Sequence, residues 1–135
     1  MASIHREMKV AADAAQIWDA ARDIGALHTR LVPGFVVECR LDGPEARIIK
    51  FANGMEVREV ILDVDDAARR IAWTAAGGQL THYNASLQVF DEGAGASRLV
   101  WIADLLPHTA APAIAGMIEE GLRAMKLALE RQPSR

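Results

Sequence analysis

Apolar and polar residues alternate along most of the chain, which is the period of β-strands. The first such stretch is residues 3–10, SIHREMKV, where every second position is apolar apart from Arg6. Asp13 then occupies a helix N-cap position before AAQIWDAARD, and Asp23 precedes a second short helical turn, IGALH. A Pro-Gly pair ends this helical region. The pattern predicts one strand followed by two short helices.

From Phe35 onward, six further alternating stretches follow one another, and short turn signals separate them. The connections are too short for a parallel crossover, so neighbouring strands should pair as antiparallel hairpins. The Asn-Gly turn is the clearest signal, because both positions of a two-residue type I′ turn need positive φ. The turn signals lie at Asp42–Pro44, Asn53–Gly54, Asp65–Asp66, Gly77–Gly78 and residues 91–96.

The last segment, residues 109–131, changes to a helical period. Pro112 is tolerated only in the first turn, so the helix should begin close to it. About 20 residues give a helix roughly 30 Å long, which needs a broad surface to cover. The order of strand, two short helices, six strands and long helix predicts an α+β domain. The apolar face of the helix consists of Ile114, Met117, Ile118, Gly121, Leu122, Met125 and Leu129.

Composition narrows the possible functions. The 135 residues are expected to form a single domain, 1–135, and about half of them are apolar. The net charge is −3 and no basic stripe is present, so we expect no nucleic-acid partner. No apolar run approaches the roughly 20 residues that span a bilayer, and the four histidines and one cysteine have no metal-ligand spacing. We therefore expect a cytoplasmic protein with neither metal nor cofactor and without stable membrane insertion.

Six stretches of the sequence carry a family resemblance: VAADAAQIWDAARDIGALHTRLVPG, EARIIKF, VREVILDVDDAARRIAWTAAGG, THYNASLQV, WIADLLP and EEGLRAMKLALE. They resemble the START-like (SRPBCC) superfamily, in its polyketide cyclase/dehydrase-like branch. The resemblance implies the helix-grip fold, in which a curved seven-stranded antiparallel sheet wraps around a long C-terminal helix. It also implies a cavity between sheet and helix for an apolar small molecule.

Glu59 is an unusual residue for the middle of a strand, since it shares a face with Met55, Val57 and Ile61. The resemblance implies that this face lines the cavity and that the carboxylate holds a polar group of the ligand. The residues alone leave a second possibility open, in which Glu59 lies near the sheet end and reaches water.

The pairing of Glu59 depends on the turns at both ends of its strand. The length of the Asp-Asp turn places it opposite Trp73 or Thr74, and the family register favours Trp73. A buried carboxylate needs a partner, and His28 is the first candidate. Arg47 is the other, although a two-residue Asn-Gly turn places it opposite Val60, on the other face.

Aromatic residues and a glycine complete the candidate cavity. Trp73, Tyr83 and Trp101 lie in three different late strands, where they suit either a ligand wall or core filling. Met117 and Gly121 lie one turn apart on the inward face of the last helix. A glycine inside a helix costs about 1 kcal/mol relative to alanine. Gly121 therefore makes room either for a ligand or for close packing on the sheet.

Three functions are compatible with these features. The first is a binding protein, monomeric or weakly dimeric, that takes an apolar or aromatic small molecule into its cavity. The second is a polyketide cyclase/dehydrase-type enzyme, in which Glu59 or His28 moves protons and Tyr83 stabilises an enolate. The third is a partner-binding role of the exposed sheet face. The residues expected to contact the ligand are His28, Met55, Val57, Glu59, Ile61, Trp73, Tyr83, Trp101, Met117 and Gly121.

Overall fold

The computed structural model describes residues 2–75, 77 and 79–131, so Gly78 of the expected Gly77–Gly78 turn lies outside it. A seven-stranded antiparallel sheet and a long C-terminal helix make up most of the described chain, and two short helical turns follow the first helix. The predicted helix-grip α+β fold is confirmed. The elements are β1 (Ala2–Val10), α1 (Ala14–Ala21), a 3₁₀ turn (Ile24–Ala26), a π-helical turn (Leu27–Leu31), β2 (Val36–Leu41), β3 (Ala46–Phe51), β4 (Glu56–Asp65), β5 (Arg70–Ala75), β6 (His82–Asp91), β7 (Ser97–Leu106), a second 3₁₀ turn (His108–Ala110) and α2 (Ala111–Arg131).

The strand order across the sheet is β1-β7-β6-β5-β4-β3-β2. Strands β2 to β7 are neighbours in sequence order, whereas β1 pairs with β7. The helical region after β1 therefore carries the chain from one edge of the sheet to the other, where β2 lies. Helix α2 buries the face that its period predicts, including Ile118, Leu122, Met125 and Leu129. These side chains belong to the same hydrophobic cluster as the inward residues of the sheet.

Helix α1 is tied to the far end of the β4–β5 hairpin by one carboxylate. Asp66 accepts hydrogen bonds from Trp18 Nε1 and Arg22 Nε, each at 2.8 Å. These two donors lower the pKa of Asp66, with the indole N–H as the larger cause. Asp13 occupies the N-cap position of α1 as expected, but its carboxylate accepts from the Gly95 backbone N–H at 2.7 Å instead of capping the helix.

The observed register of the β3–β4 hairpin differs by one residue from the register that the Asn-Gly pair predicts. Its loop has three residues and not two, since Phe51 N–H donates to Met55 O at 2.9 Å and Gly54 adopts φ +91°. This is the type of hairpin in which a turn is followed by a left-handed glycine. The extra residue shifts the pairing by one, and a shift of one exchanges the two faces of a strand. Arg47 therefore pairs with Glu59 and not with Val60.

The β4–β5 pairing also differs from both expected registers. Glu59 lies opposite Ala75, and Trp73 lies opposite Ile61. The register shifts between Ile61 and Asp63, where β4 carries a bulge. The expected pairing of Glu59 with Trp73 or Thr74 is wrong, because the strands stay paired out to Asp65 and Arg70, so the loop lies later in the chain than either turn-length alternative placed it.

Candidate functional site

A cavity of about 120 Å³ lies between the inner face of the sheet, helix α2 and the π-helical turn. For comparison, an apolar cavity of about 150 Å³ in another protein holds benzene. The space is therefore about the size of one aromatic ring. Its lining consists of Ala21, Leu27, Leu31, Val32, Phe35, Val36, Arg47, Ile49, Phe51, Met55, Val57, Glu59, Ile71, Trp73, Ala75, Leu80, Tyr83, Leu87, Trp101, Ile114, Met117, Ile118 and Met125.

Most of the expected ligand contacts line this cavity, but three do not. The structure brings together Met55, Val57, Glu59, Trp73, Tyr83, Trp101 and Met117. Ile61 is buried in the hydrophobic core instead. His28 lies on the π-helical turn outside the lining, with its Nδ1 atom buried and without a hydrogen-bond partner among the described residues. The expected partnership of His28 with Glu59 is therefore replaced by that of Arg47.

Gly121 serves packing and not ligand space. A Cβ atom at this position would lie 3.0 Å from Trp101 Cζ3 and 3.3 Å from Phe35 Cε2. Both distances are shorter than ordinary van der Waals contact. The missing side chain lets helix α2 approach the Trp101 ring, which is the second of the two explanations that the sequence left open.

The polar end of the cavity is built on a buried ion pair. Arg47 Nε and Nη2 each lie 2.9 Å from Glu59 Oε1, and the two side chains are only 5% and 10% exposed. The arginine neutralises the carboxylate, so a charge can lie beside apolar walls at a tolerable cost in solvation. Both contacts end on the same oxygen of the Glu59 carboxylate.

Arg47 also connects the ion pair to the cover of the cavity. Its Nη1 donates to the backbone carbonyl of Ile24 at 3.3 Å, in the 3₁₀ turn that precedes the π-helical turn. One guanidinium thus joins β3, β4 and the helical region. The predicted position of Arg47 on the opposite face is wrong, because the β3–β4 loop has three residues and not two.

Tyr83 and Trp101 lie beside this ion pair. The pKa of the Tyr83 hydroxyl is strongly raised, first by burial and second by the negative charge of Glu59. The Trp101 indole opposes this rise, so its N–H lies near the Tyr83 oxygen. Trp101 Nε1 is nevertheless buried without a partner in hydrogen-bond geometry among the described residues. The phenol therefore stays protonated near neutral pH.

Aromatic rings form two further parts of the wall. Trp73 and Trp101 meet edge to face, with centroids 5.9 Å apart and an angle of 65°. Phe35 and Phe51 make a second such contact at 5.2 Å and 71°. The two phenylalanines were not among the expected ligand contacts. Phe35 follows Gly34 and Phe51 precedes Asn53, so both lie beside predicted turns. That position is the feature of the sequence that could have identified them as lining residues.

The described residues contain neither a candidate metal site nor a candidate membrane-spanning helix. Across residues 2–75, 77 and 79–131, no three His, Cys, Asp or Glu side chains are arranged to hold a metal ion. Within the same part of the chain, no helix is long and apolar enough to cross a membrane.

Solved structures with the same fold are widespread. The di-domain ARO/CYC BexL from the BE-7585A biosynthetic pathway is 16% identical, with a TM-score of 0.83 over 96% of this chain and 47% of its own. A START superfamily protein from Mycobacterium smegmatis is 16% identical, with a TM-score of 0.74 over 95% and 94% of the two chains. Norcoclaurine synthase from Thalictrum flavum, in complex with dopamine and hydroxybenzaldehyde, is 23% identical, with a TM-score of 0.70 over 98% and 88%. At these identities the likeness shows the fold alone.

Comparison at the level of sequence gives the family. A search of curated proteins finds no match. A family model described as "Polyketide cyclase / dehydrase and lipid transport" matches residues 1–130, which is nearly the whole chain. The chain therefore belongs to the polyketide cyclase/dehydrase and lipid transport family.

Proposed function

We propose that this protein binds a small apolar or aromatic molecule in the cavity between the sheet and helix α2. The observation that carries the proposal is a ring-sized internal space whose walls are almost entirely apolar and whose charged groups, Arg47 and Glu59, already neutralise each other. Burial of apolar surface would supply the affinity, at about 25 cal/mol per Å² before the costs of association. The family also supports a hydrophobic ligand or a cyclase-type substrate.

The polar end would orient the ligand within these walls. The negative charge of Glu59 acts on the Tyr83 hydroxyl, and the Trp101 N–H lies near the Tyr83 oxygen. A few convergent polar groups at one end of an apolar pocket are the usual arrangement for fixing the orientation of a small molecule.

A second candidate function is a cyclase-type reaction in the same cavity. It is favoured by one observation, that two titratable groups, Glu59 and Tyr83, line one cavity and interact electrostatically. Glu59 would take a proton from the substrate, and the protonated phenol of Tyr83 would stabilise enolate charge. His28 has no part in this version, since it does not line the cavity. Glu59→Gln separates the two functions, because loss of a general base costs turnover about 10²- to 10⁴-fold whereas a binder loses modest affinity.

Toluene tests the binding proposal directly, because it is one apolar ring. Saturating toluene should raise the melting temperature of the wild-type protein by mass action. Val57→Phe, which fills the cavity from β4, should abolish this rise. Val60→Phe is the matched control, since Val60 lies on the same strand but on the opposite face. A toluene effect that survives in Val57→Phe, or is missing from the wild type, would contradict the proposal.

A further inference from the structure

The Trp101 indole N–H has no acceptor in hydrogen-bond geometry among the described residues, although the Tyr83 oxygen lies near it. Trp101 lines the cavity and is only 8% exposed, and its Nε1 atom has no partner among the described residues. Buried polar atoms almost always have a partner, and each exception asks for an explanation. An indole nitrogen only donates, so what it needs is an acceptor atom inside the cavity.

Two other polar groups converge on the same end. Glu59 lies opposite Ala75 in the sheet, and Tyr83 lies on the next strand, one residue before Asn84, which pairs with Thr74. Strands are about 4.8 Å apart, so the backbones of Glu59 and Tyr83 are about 10 Å apart across the small Ala75. The negative charge of Glu59 acts on the Tyr83 hydroxyl across this gap.

The hydrogen-bonding capacity of this end restricts the ligand group. Trp101 offers a donor, the ionised Glu59 offers an acceptor oxygen, and the Tyr83 hydroxyl can serve as either. A ligand carbonyl would satisfy Trp101 but give nothing to Glu59, and a ligand carboxylate would be repelled by Glu59. An ammonium group has no acceptor for Trp101. A hydroxyl group is the simplest group that both accepts and donates.

Charge and size restrict the rest of the ligand. Arg47 and Glu59 already balance each other, so a charged ligand would leave an unpaired charge in an apolar space. The volume of about 120 Å³ admits about one ring without rearrangement. A folded polyketide chain is much larger than this space.

We propose that the cavity selects a neutral, single-ring molecule with a hydroxyl group. The ligand oxygen would accept from Trp101 Nε1, and its proton would go to the Glu59 carboxylate. This inference rests on the proposed binding function and names the class of ligand for it.

Phenol and toluene form the test pair, because they differ by one hydroxyl in place of one methyl. In ¹⁵N-labelled wild-type protein, phenol should shift the Trp101 indole resonance downfield, as a new hydrogen bond does, whereas toluene should not. The Trp18 indole is an internal control, since its N–H already donates to Asp66 outside the cavity lining. A Trp101 resonance that responds equally to both ligands would overturn the inference.

The dissociation constants of phenol and toluene for a Trp101 variant provide a second test. In Trp101→Phe the ratio of the toluene Kd to the phenol Kd should fall up to about tenfold, the effect of one buried hydrogen bond. If this variant does not fold, Glu59→Gln, which replaces the carboxylate that accepts the ligand proton with an amide, should lower the ratio in the same direction. An unchanged ratio overturns the hydroxyl selection while leaving the binding proposal intact. If neither phenol nor toluene binds the wild type, the binding proposal fails together with it.

Discussion

Removing one half of the Arg47–Glu59 ion pair should destabilise the protein far more than removing both halves. The pair is almost fully buried, and both guanidinium contacts to Oε1 measure 2.9 Å. At that distance and an effective dielectric constant of about 20, the attraction amounts to about 6 kcal/mol. Desolvation of the two ions costs several kcal/mol each and offsets most of it. The net contribution of the intact pair is therefore small.

The single variants lose the attraction but keep one desolvated charge. Arg47→Met leaves the Glu59 carboxylate unpaired, and Glu59→Leu leaves the guanidinium unpaired. Each should lower the free energy of unfolding by about 3–5 kcal/mol, the range for breaking a buried pair. The double variant removes both charges and places apolar side chains beside the apolar walls, so its stability should lie within about 1 kcal/mol of the wild type.

Urea denaturation of the four proteins measures this cycle. Arg58→Met provides the control. Arg58 precedes Glu59 on β4 and pairs with Asp42 at 2.8 Å, but both of these side chains are about half exposed. An exposed pair of this kind contributes about 0–1 kcal/mol. The reasoning is refuted if the single variants cost no more than this control, or if the double variant loses the sum of the two single losses.

Two further predictions concern the helices. Gly116→Ala should stabilise α2 by up to about 1 kcal/mol in urea, because no atom lies within 4 Å of the added Cβ. Gly121→Ala should instead destabilise the protein by up to about 2 kcal/mol, since its Cβ would press on Trp101 at 3.0 Å; equal gains from both variants would argue against this packing. Asp66 has a lowered pKa, chiefly because Trp18 donates to it, so its contribution is complete above about pH 4 and is lost as the pH falls through the folded pKa. The stability difference between wild type and Asp66→Asn should therefore shrink in acid, and a difference constant with pH would contradict this.

The fold could be predicted from the sequence because periodicity and turn signals are local. The alternation in the strands, the helical period of residues 109–131 and the short connections all specify the same antiparallel arrangement. The inward face of α2 followed from the same period, and Ile118, Leu122, Met125 and Leu129 are buried as expected. Each of these features depends on neighbouring residues alone.

The polar end of the cavity depends on single-residue details that periodicity does not specify. The Asn-Gly pair fits a two-residue loop and a three-residue loop equally well, and only the second brings Arg47 to the face of Glu59. The position of the β4–β5 loop, after Asp65 and before Arg70, likewise places Trp73 opposite Ile61 and not Glu59. Since each extra residue exchanges the faces of a strand, the fold was predictable while the partner of the central carboxylate was not.

The most direct test of the cavity as a ligand site is an intermolecular NOE experiment with toluene in solution. Ligand in the cavity should give NOEs to the methyl groups of Ile114 and Met117, which line it from α2. NOEs confined to exposed apolar residues such as Val37 and Leu41 on β2 would contradict the account, because neither residue lines the cavity.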